Sequence, residues 1–321
     1  MLDTSKLVAR YELDRKRDRF HGHRTSQLIE LLEFIRITAS SSDAVVITGD
    51  FNLESNTPDI AFFKSYLGVS DAWKDSIVRY SNGPLSTEIS HERLEVEGCT
   101  CDRADNPYRN DEWTKYYGNG ERLDYIFYRA GNGPLDSESA PKNIQLTCRS
   151  RWLDMRQVPN DADKLHYSDH VGVGAQLTIS RVSPTTVAQH NRKLSLESTK
   201  QMETVLLELA DHINSGLQQC RRERILHLIF AAGIAFLLFY ILTYGPHRHW
   251  FLVFLSFLLV IVLSPCCFLL LWGSLIGRIT ERRALTNSGI IINLILAQIK
   301  ACMKQSEGDT HANGDYTILS Y

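Results

Sequence analysis

An excess of positive charge is missing from this sequence. Among 321 residues, 35 Lys and Arg stand against 37 Asp and Glu, for a formal net charge of -2. No bulk basic field is available to gather nucleic acid, so charge disfavours a nuclease. A disulfide framework is missing too. The seven cysteines are an odd number without regular spacing, and Cys266 and Cys267 lie inside an apolar run, so they read as reduced thiols of a cytosol-facing protein. No apolar leader follows Met1, and the chain soon enters the charged stretch Arg15-Lys-Arg-Asp-Arg19, which reads as a solvated face. Internal repeats are absent.

What is present divides into two regimes. Residues 1–180 have the composition of a soluble α/β domain, and residues 181–223 read as a polar linker followed by an amphipathic stalk helix. Residues 224–277 hold two nearly uncharged apolar runs, and residues 278–321 read as a cytosolic amphipathic helix and tail. Ile225 to Tyr244 is about 20 residues, enough to cross a bilayer core as a helix, and Trp250 to Ile276 is longer still. Arg221, Arg222 and Arg224 precede the first run, and Arg278, Arg282 and Arg283 follow the second. That charge placement predicts a two-span hairpin with both ends cytosolic. The apolar residues of Ile290 to Met303 predict a helix on the membrane surface or against the hairpin.

Within the first regime, Leu28, Leu31, Leu32 and Ile35 recur at helical spacing and predict an amphipathic helix over Thr25 to Thr38. Ala44-Val-Val-Ile-Thr48 is continuous and β-branched, as a strand buried on both faces would be, and is expected to stop at Gly49-Asp50. Leu123, Tyr125 and Phe127 share one face of a second strand, and Val171, Val173, Ala175, Leu177 and Ile179 one face of a third. The polar stretch from Ser81 to Gly120 reads as long loops without assigned structure.

Of three short motifs, two fall at predicted strand ends, where α/β enzymes place polar catalytic groups, and the third lies within a predicted strand. In Gly49-Asp50-Phe51-Asn52, a carboxylate and an amide two residues apart can grip a water, a metal or a phosphoryl oxygen, although an Asp capping a turn is equally common there. In Ser168-Asp169-His170, the imidazole can act as general base on water. Arg122-Leu123-Asp124-Tyr125 sets a carboxylate in an apolar strand, where it needs a partner. Asp124 paired with His170 would orient the ring and stabilise its charged form. Cys99-Thr-Cys101 with His91 has the residue types of a zinc site but no common zinc spacing. Trp73, Tyr116 and Tyr117 could lay apolar edges on a bilayer or cage a choline head group, although Trp73 reads more simply as core packing.

In this order the three motifs resemble the C-terminal half of the endonuclease/exonuclease/phosphatase superfamily. Together with His23-Arg24, Gln27 and the apolar hairpin, they are similar to the neutral sphingomyelinases with two C-terminal spans. The resemblance covers about residues 7 to 300. It implies the C-terminal half of a two-sheet β-sandwich flanked by helices, followed by a transmembrane hairpin. It also implies magnesium-assisted hydrolysis of sphingomyelin to ceramide and phosphocholine. His170 would be the general base and Asp124 its orienting acid. Asp50 and Asn52 would hold the water and the phosphoryl group, and Asp169 would complete the site. The family's magnesium-binding Glu matches no residue of this chain, and Ser5-Lys6 stands where the family has Thr-His. The resemblance therefore implies impaired turnover by this chain alone, at the endoplasmic reticulum or another endomembrane. A nuclease or inositol-lipid phosphatase of the same superfamily is an alternative, as is a non-catalytic membrane-anchored interaction protein.

Overall fold

The computed structural model describes residues 2–6, 18, 20–40, 43–75, 91–117, 120–131, 144–181, 196–245 and 249–308. The stretch Arg15–Arg17, most of the linker at 182–195, the interspan residues 246–248 and the tail after 308 lie outside the described residues, as do the side chains of His91, Tyr116 and Tyr117.

The strands are β1 (Leu2–Lys6), β2 (Val45–Asp50), β3 (Ser70–Asp71), β4 (Asp124–Arg129), β5 (Ile144–Asp154) and β6 (Gly172–Arg181). Four of them form a mixed sheet in the order β1-β2-β4-β3, with β1 parallel to β2 and the other pairings antiparallel. The remaining two, β5 and β6, pair as an antiparallel ribbon. Alternation along the strands sorts the two faces of the mixed sheet. Val45, Ile47, Tyr125 and Phe127 point into the main core, whereas Val46, Ile126 and Tyr128 pack on Leu146, Cys148, Ala175 and Leu177 of the ribbon. The α/β architecture with two facing sheets agrees with the expectation from sequence.

Helix α1 (His21–Thr38) begins four residues before the predicted start and buries Leu28, Ile29, Leu32 and Ile35. Helix α2 (Pro58–Leu67), unread in the sequence, starts at an N-cap Thr57 with Pro58 in the first turn, and Ile60, Phe62 and Phe63 fill the core beside Phe51. Strand β2 runs two residues further than predicted, because Gly49 and Asp50 remain in register with Tyr125 and Asp124. The stretch read as structureless holds two short helices, α3 (His91–Glu97) and α4 (Asp111–Tyr117). Arg103 is fully buried there and bonds Asp105, Glu95 and the Cys99 carbonyl, which satisfies the cation.

The predicted stalk and first apolar run are one continuous helix of 49 residues, α5 (Leu196–Tyr244). Its partner α6 (Trp250–Trp272) packs against it, passes through a π-helical turn at Gly273–Gly277, and leads into α7 (Arg278–Gly308). Most apolar side chains from Ile225 to Ile276 stay exposed, with Phe236 at 72% and Trp250 at 82%. Both helices are long and apolar enough to cross a membrane, and only 6% of each most apolar stretch is buried. A core hairpin of a soluble protein would bury these residues, so their exposure speaks against that alternative.

Helix α7 departs from its predicted place. Leu285, Ile292, Ile295 and Leu296 are buried against α1 and the first half of α5, where Leu206, Leu209 and Ile213 complete the same core. Ser26 and Ser288 bring their hydroxyls within 2.8 Å across the buried α1–α7 contact. The apolar stripe of α7 thus covers the α/β layer instead of lying on the hairpin. Where α1 crosses α5, Gly22 allows backbone contact: a Cβ there would sit 2.4 Å from the His212 carbonyl oxygen.

Candidate active site

The three motifs meet at one end of the mixed sheet. Asp50 closes β2 and Asp124 opens β4, and the two are register partners across the antiparallel pair. Asp124 therefore sits at the edge of its strand, not in the middle as its apolar flanks suggested. Asn52 follows in the left-handed region (φ 47°), which Asn tolerates better than most residues. It folds back on Asp50: its backbone N–H donates to Oδ1 at 2.9 Å and its amide to Oδ2 at 3.1 Å. Both residues are buried, so the turn is a fixed cradle.

His170 reaches this edge from the segment before β6. Its Nδ1 lies 2.7 Å from Asp124 Oδ2, and since a carboxylate only accepts, Nδ1 carries the proton. Donor atoms of Asp50, Asp124 and His170 all lie within 4.8 Å of one another, and so do those of Cys101, Asp169 and His170. Burial lowers the affinity of the ring for its proton, but hydrogen bonds to Asp124 and Cys101 outweigh that and raise the pKa to about 11. In this arrangement the imidazolium is the favoured form. Asp169 itself is exposed, with its carboxylate accepting the Ser168 hydroxyl at 2.9 Å.

Three residues missed in the sequence hold these groups. Thr100 is fully buried, and its hydroxyl accepts from the backbone N–H of Leu123 at 3.1 Å and of Asp124 at 3.3 Å; its carbonyl accepts from Val171 N at 2.9 Å. One residue thus ties the starts of β4 and β6 together, by its hydroxyl on one side and its backbone carbonyl on the other. Asn106, buried in the loop between α3 and α4, donates its amide to the carbonyls of Ser168 and Asp169 and fixes the turn that presents His170. Cys101 joins His170 and Asp169, whereas Cys99 is turned elsewhere and burial pushes its thiol up to about 12. Thr100 and Asn106 carry no periodic signal, and Cys101 was visible only as half of a zinc spacing.

Other sequence candidates take structural positions. Arg122 makes a two-pronged buried pair with Asp71, at 2.9 and 2.7 Å, and its guanidinium lies 4.6 Å from the Tyr125 ring centre. Asp71 is held below the usual carboxylate range: burial raises it, and the Arg122 hydrogen bonds and charge more than reverse that. Trp73 is buried, donates to the Val96 carbonyl and lies under Arg151, so it packs in the core. His23 pairs with Glu281 of α7, and Arg24 with Asp18. The register of β1 sets Ser5 and Lys6 beside Gly49 and Asp50, so the departure from Thr-His falls next to the site.

Residues 7–170 match the endonuclease/exonuclease/phosphatase family. A candidate neutral sphingomyelinase of Caenorhabditis elegans is 29% identical over 293 residues, which are 91% of this chain and 61% of that protein. Sphingomyelin phosphodiesterase 2 of Homo sapiens is 29% identical over 173 residues, 54% of this chain and 35% of the human protein. An inositol phosphosphingolipids phospholipase C of Schizosaccharomyces pombe is 25% identical over 176 residues, 54% of this chain and 38% of the yeast protein. The chain thus spans less than two thirds of the length of each of these relatives.

Proposed function

The chain belongs to the endonuclease/exonuclease/phosphatase family, and from that membership we propose that it is a membrane-anchored phosphodiesterase that hydrolyses sphingomyelin to ceramide and phosphocholine. The observation that carries this reading is the convergence of Asp50, Asp124 and His170 within 4.8 Å at one sheet edge. The names of the relatives supply the substrate class, and the exposed apolar helices supply a reason for a lipid substrate. A tether to the bilayer raises the local concentration of head groups without any new contact.

In the proposed roles, Asp124 orients His170, which serves as general base on the attacking water. The Asp50–Asn52 cradle grips that water and a phosphoryl oxygen, and Asp169 completes the turn. A base must be neutral to accept a proton, and the ring as held by Asp124 and Cys101 favours its charged form. The base role therefore requires that substrate or metal binding release that proton. The carboxylates of Asp50 and Asp124 are hard oxygen donors of the type that magnesium takes, usually with several waters and substrate phosphate oxygens. Magnesium bound there would stabilise the charge that develops at phosphorus. Both apolar helices are proposed to span an endomembrane such as the endoplasmic reticulum, with the site and both termini in the cytosol.

A second reading is a non-catalytic anchored protein that uses this face for interaction. It is favoured by the engagement of both Asp50 oxygens with Asn52 and of Asp124 with His170, which leaves little carboxylate for a metal. The test is hydrolysis of labelled sphingomyelin by the detergent-solubilised chain with magnesium, beside DNA and inositol-lipid substrates. Release of phosphocholine that is lost in His170→Ala supports the proposal. Preference for DNA or an inositol lipid, or turnover that survives His170→Ala, overturns it, and silence on every substrate favours the second reading.

A further inference from the structure

We propose that His21, Asp59 and His212 form a second divalent-metal site, of the zinc class, that fastens the long helix α5 to the catalytic layer. The site is separate from the His170 edge and does not rest on the proposed reaction. Its three residues come from α1, α2 and α5, and each offers one donor atom within 4.8 Å of the other two. His21 Nε2 lies 2.9 Å from Asp59 Oδ2, and His212 Nδ1 lies 3.9 Å from the same oxygen. The two imidazole rings are 3.9 Å apart between centres and tilted by 42°.

These separations fit an ion. Ligands at about 2.0–2.1 Å from a tetrahedral zinc stand roughly 3.3 Å from each other. The observed 2.9 and 3.9 Å bracket that value, so shifts of about half an ångström in each side chain would seat the metal. Two imidazoles and one carboxylate are borderline donors, suited to zinc or a similar transition ion more than to magnesium or calcium.

Three further features mark a prepared site. Asp59 is fully buried, and its other oxygen accepts the Thr25 hydroxyl at 2.6 Å, the kind of outer hydrogen bond that fixes a metal-binding carboxylate. His212 Nδ1 is a buried nitrogen with no hydrogen-bond partner, although it faces the carboxylate. A purely hydrogen-bonded cluster would be expected to satisfy that atom. The backbone contact at Gly22 holds α1 and α5 together beside both histidines, so the ligands are brought into range by the fold. The histidine side chains keep 21% and 22% exposure, which gives an ion and a fourth, water ligand a way in.

The experiment uses the detergent-solubilised full chain, stripped of metal and titrated with cobalt(II) as a spectroscopic substitute for zinc, in the background of His170→Ala. One equivalent of cobalt is expected, with tetrahedral visible absorption and no sulfur-to-metal band, because the site holds no cysteine. A sulfur band would instead report cobalt near Cys101. Thr25→Val should weaken binding by roughly 10- to 100-fold, and His212→Ala or His212→Gln by more. Zinc should raise the melting temperature of the parent and leave that of the His212 variants unchanged. The Gln variant keeps a polar side chain of similar reach if Ala prevents folding. Equal cobalt affinity in parent and His212 variants overturns the proposal, and so does a parent that binds no cobalt outside the cysteine cluster.

Discussion

Gly22→Ala sets two effects of opposite sign against each other at the α1–α5 crossing. In an isolated helix the change is favourable by about 1 kcal/mol, since Ala loses less backbone entropy than Gly. Here the new Cβ would stand 2.4 Å from the His212 carbonyl oxygen and 3.2 Å from its carbonyl carbon. A carbon and a carbonyl oxygen normally approach to about 3.3 Å, so the overlap is close to 1 Å. The obstacle is backbone, which no rotamer change can move, so α1 and α5 must separate. Overpacking costs typically about 1–3 kcal/mol, and a backbone clash belongs at the upper end of that range. The net expectation is a loss of about 1–2 kcal/mol. Gly216 faces the same crossing from α5, but its Cβ would meet Leu285 methyls at 3.4 Å and Gly22 Cα at 3.7 Å, both ordinary contacts. Gly216→Ala should therefore be neutral or stabilising by up to about 1 kcal/mol. Urea unfolding of the detergent-solubilised chain, followed through the fluorescence of the buried Trp73 and Trp113, ranks the two variants. A Gly22→Ala protein at least as stable as the parent, or an order reversed between the two glycines, would refute the reasoning.

Removing one partner of the buried Arg122–Asp71 pair leaves an uncompensated charge, so Asp71→Ala should cost about 3–5 kcal/mol in the same urea assay, while Arg122→Met with Asp71→Leu should lie much closer to the parent. The folded pKa of Asp71 is below its unfolded value, so its contribution to stability is full above about pH 4 and is lost as pH falls through the lower, folded value. Acid unfolding should accordingly lose part of its steepness below about pH 4 in the double variant. Thr100→Val leaves the backbone N–H groups of Leu123 and Asp124 without their acceptor; each such loss costs about 1–3 kcal/mol, and amide hydrogen exchange at these two residues should speed up before that of Phe127.

The parts of the fold that sequence made legible are those with a clean period. Leu28, Leu32 and Ile35 marked the core stripe of α1, Val45 to Ile47 the buried strand, and Leu123, Tyr125 and Phe127 the inward face of β4. Strand β5 was hidden because Arg149 and Arg151 interrupt its apolar residues and a bulge between Cys148 and Ser150 shifts its pairing. Ile179, predicted to share a buried face, is 66% exposed near the end of a two-stranded ribbon. Helices α3 and α4 have seven residues each, too few to show a period. The residues of the candidate active site were readable because three short motifs carry them, but the groups that hold them were not. Thr100 and Asn106 act through contacts that join loops 23 and 62 positions apart. The His21–Asp59–His212 cluster likewise depends on which faces of three helices meet, and no local pattern encodes that.

The contact between Ser26 and Ser288 joins positions 262 residues apart, and it has a consequence for the order in which the protein is made. Chains emerge from the ribosome at about 5–20 residues per second, and domains ordinarily fold as they appear. Here the cover over the apolar stripe of α1, begun by α2 and the first half of α5, is completed only by α7, which is synthesised after both apolar helices. The α/β layer, translated ahead of the hairpin, is therefore among the last parts to close. Its assembly must wait through the period in which the hairpin finds its own environment, and a fault in placing the hairpin would leave the core of the distant α/β layer open.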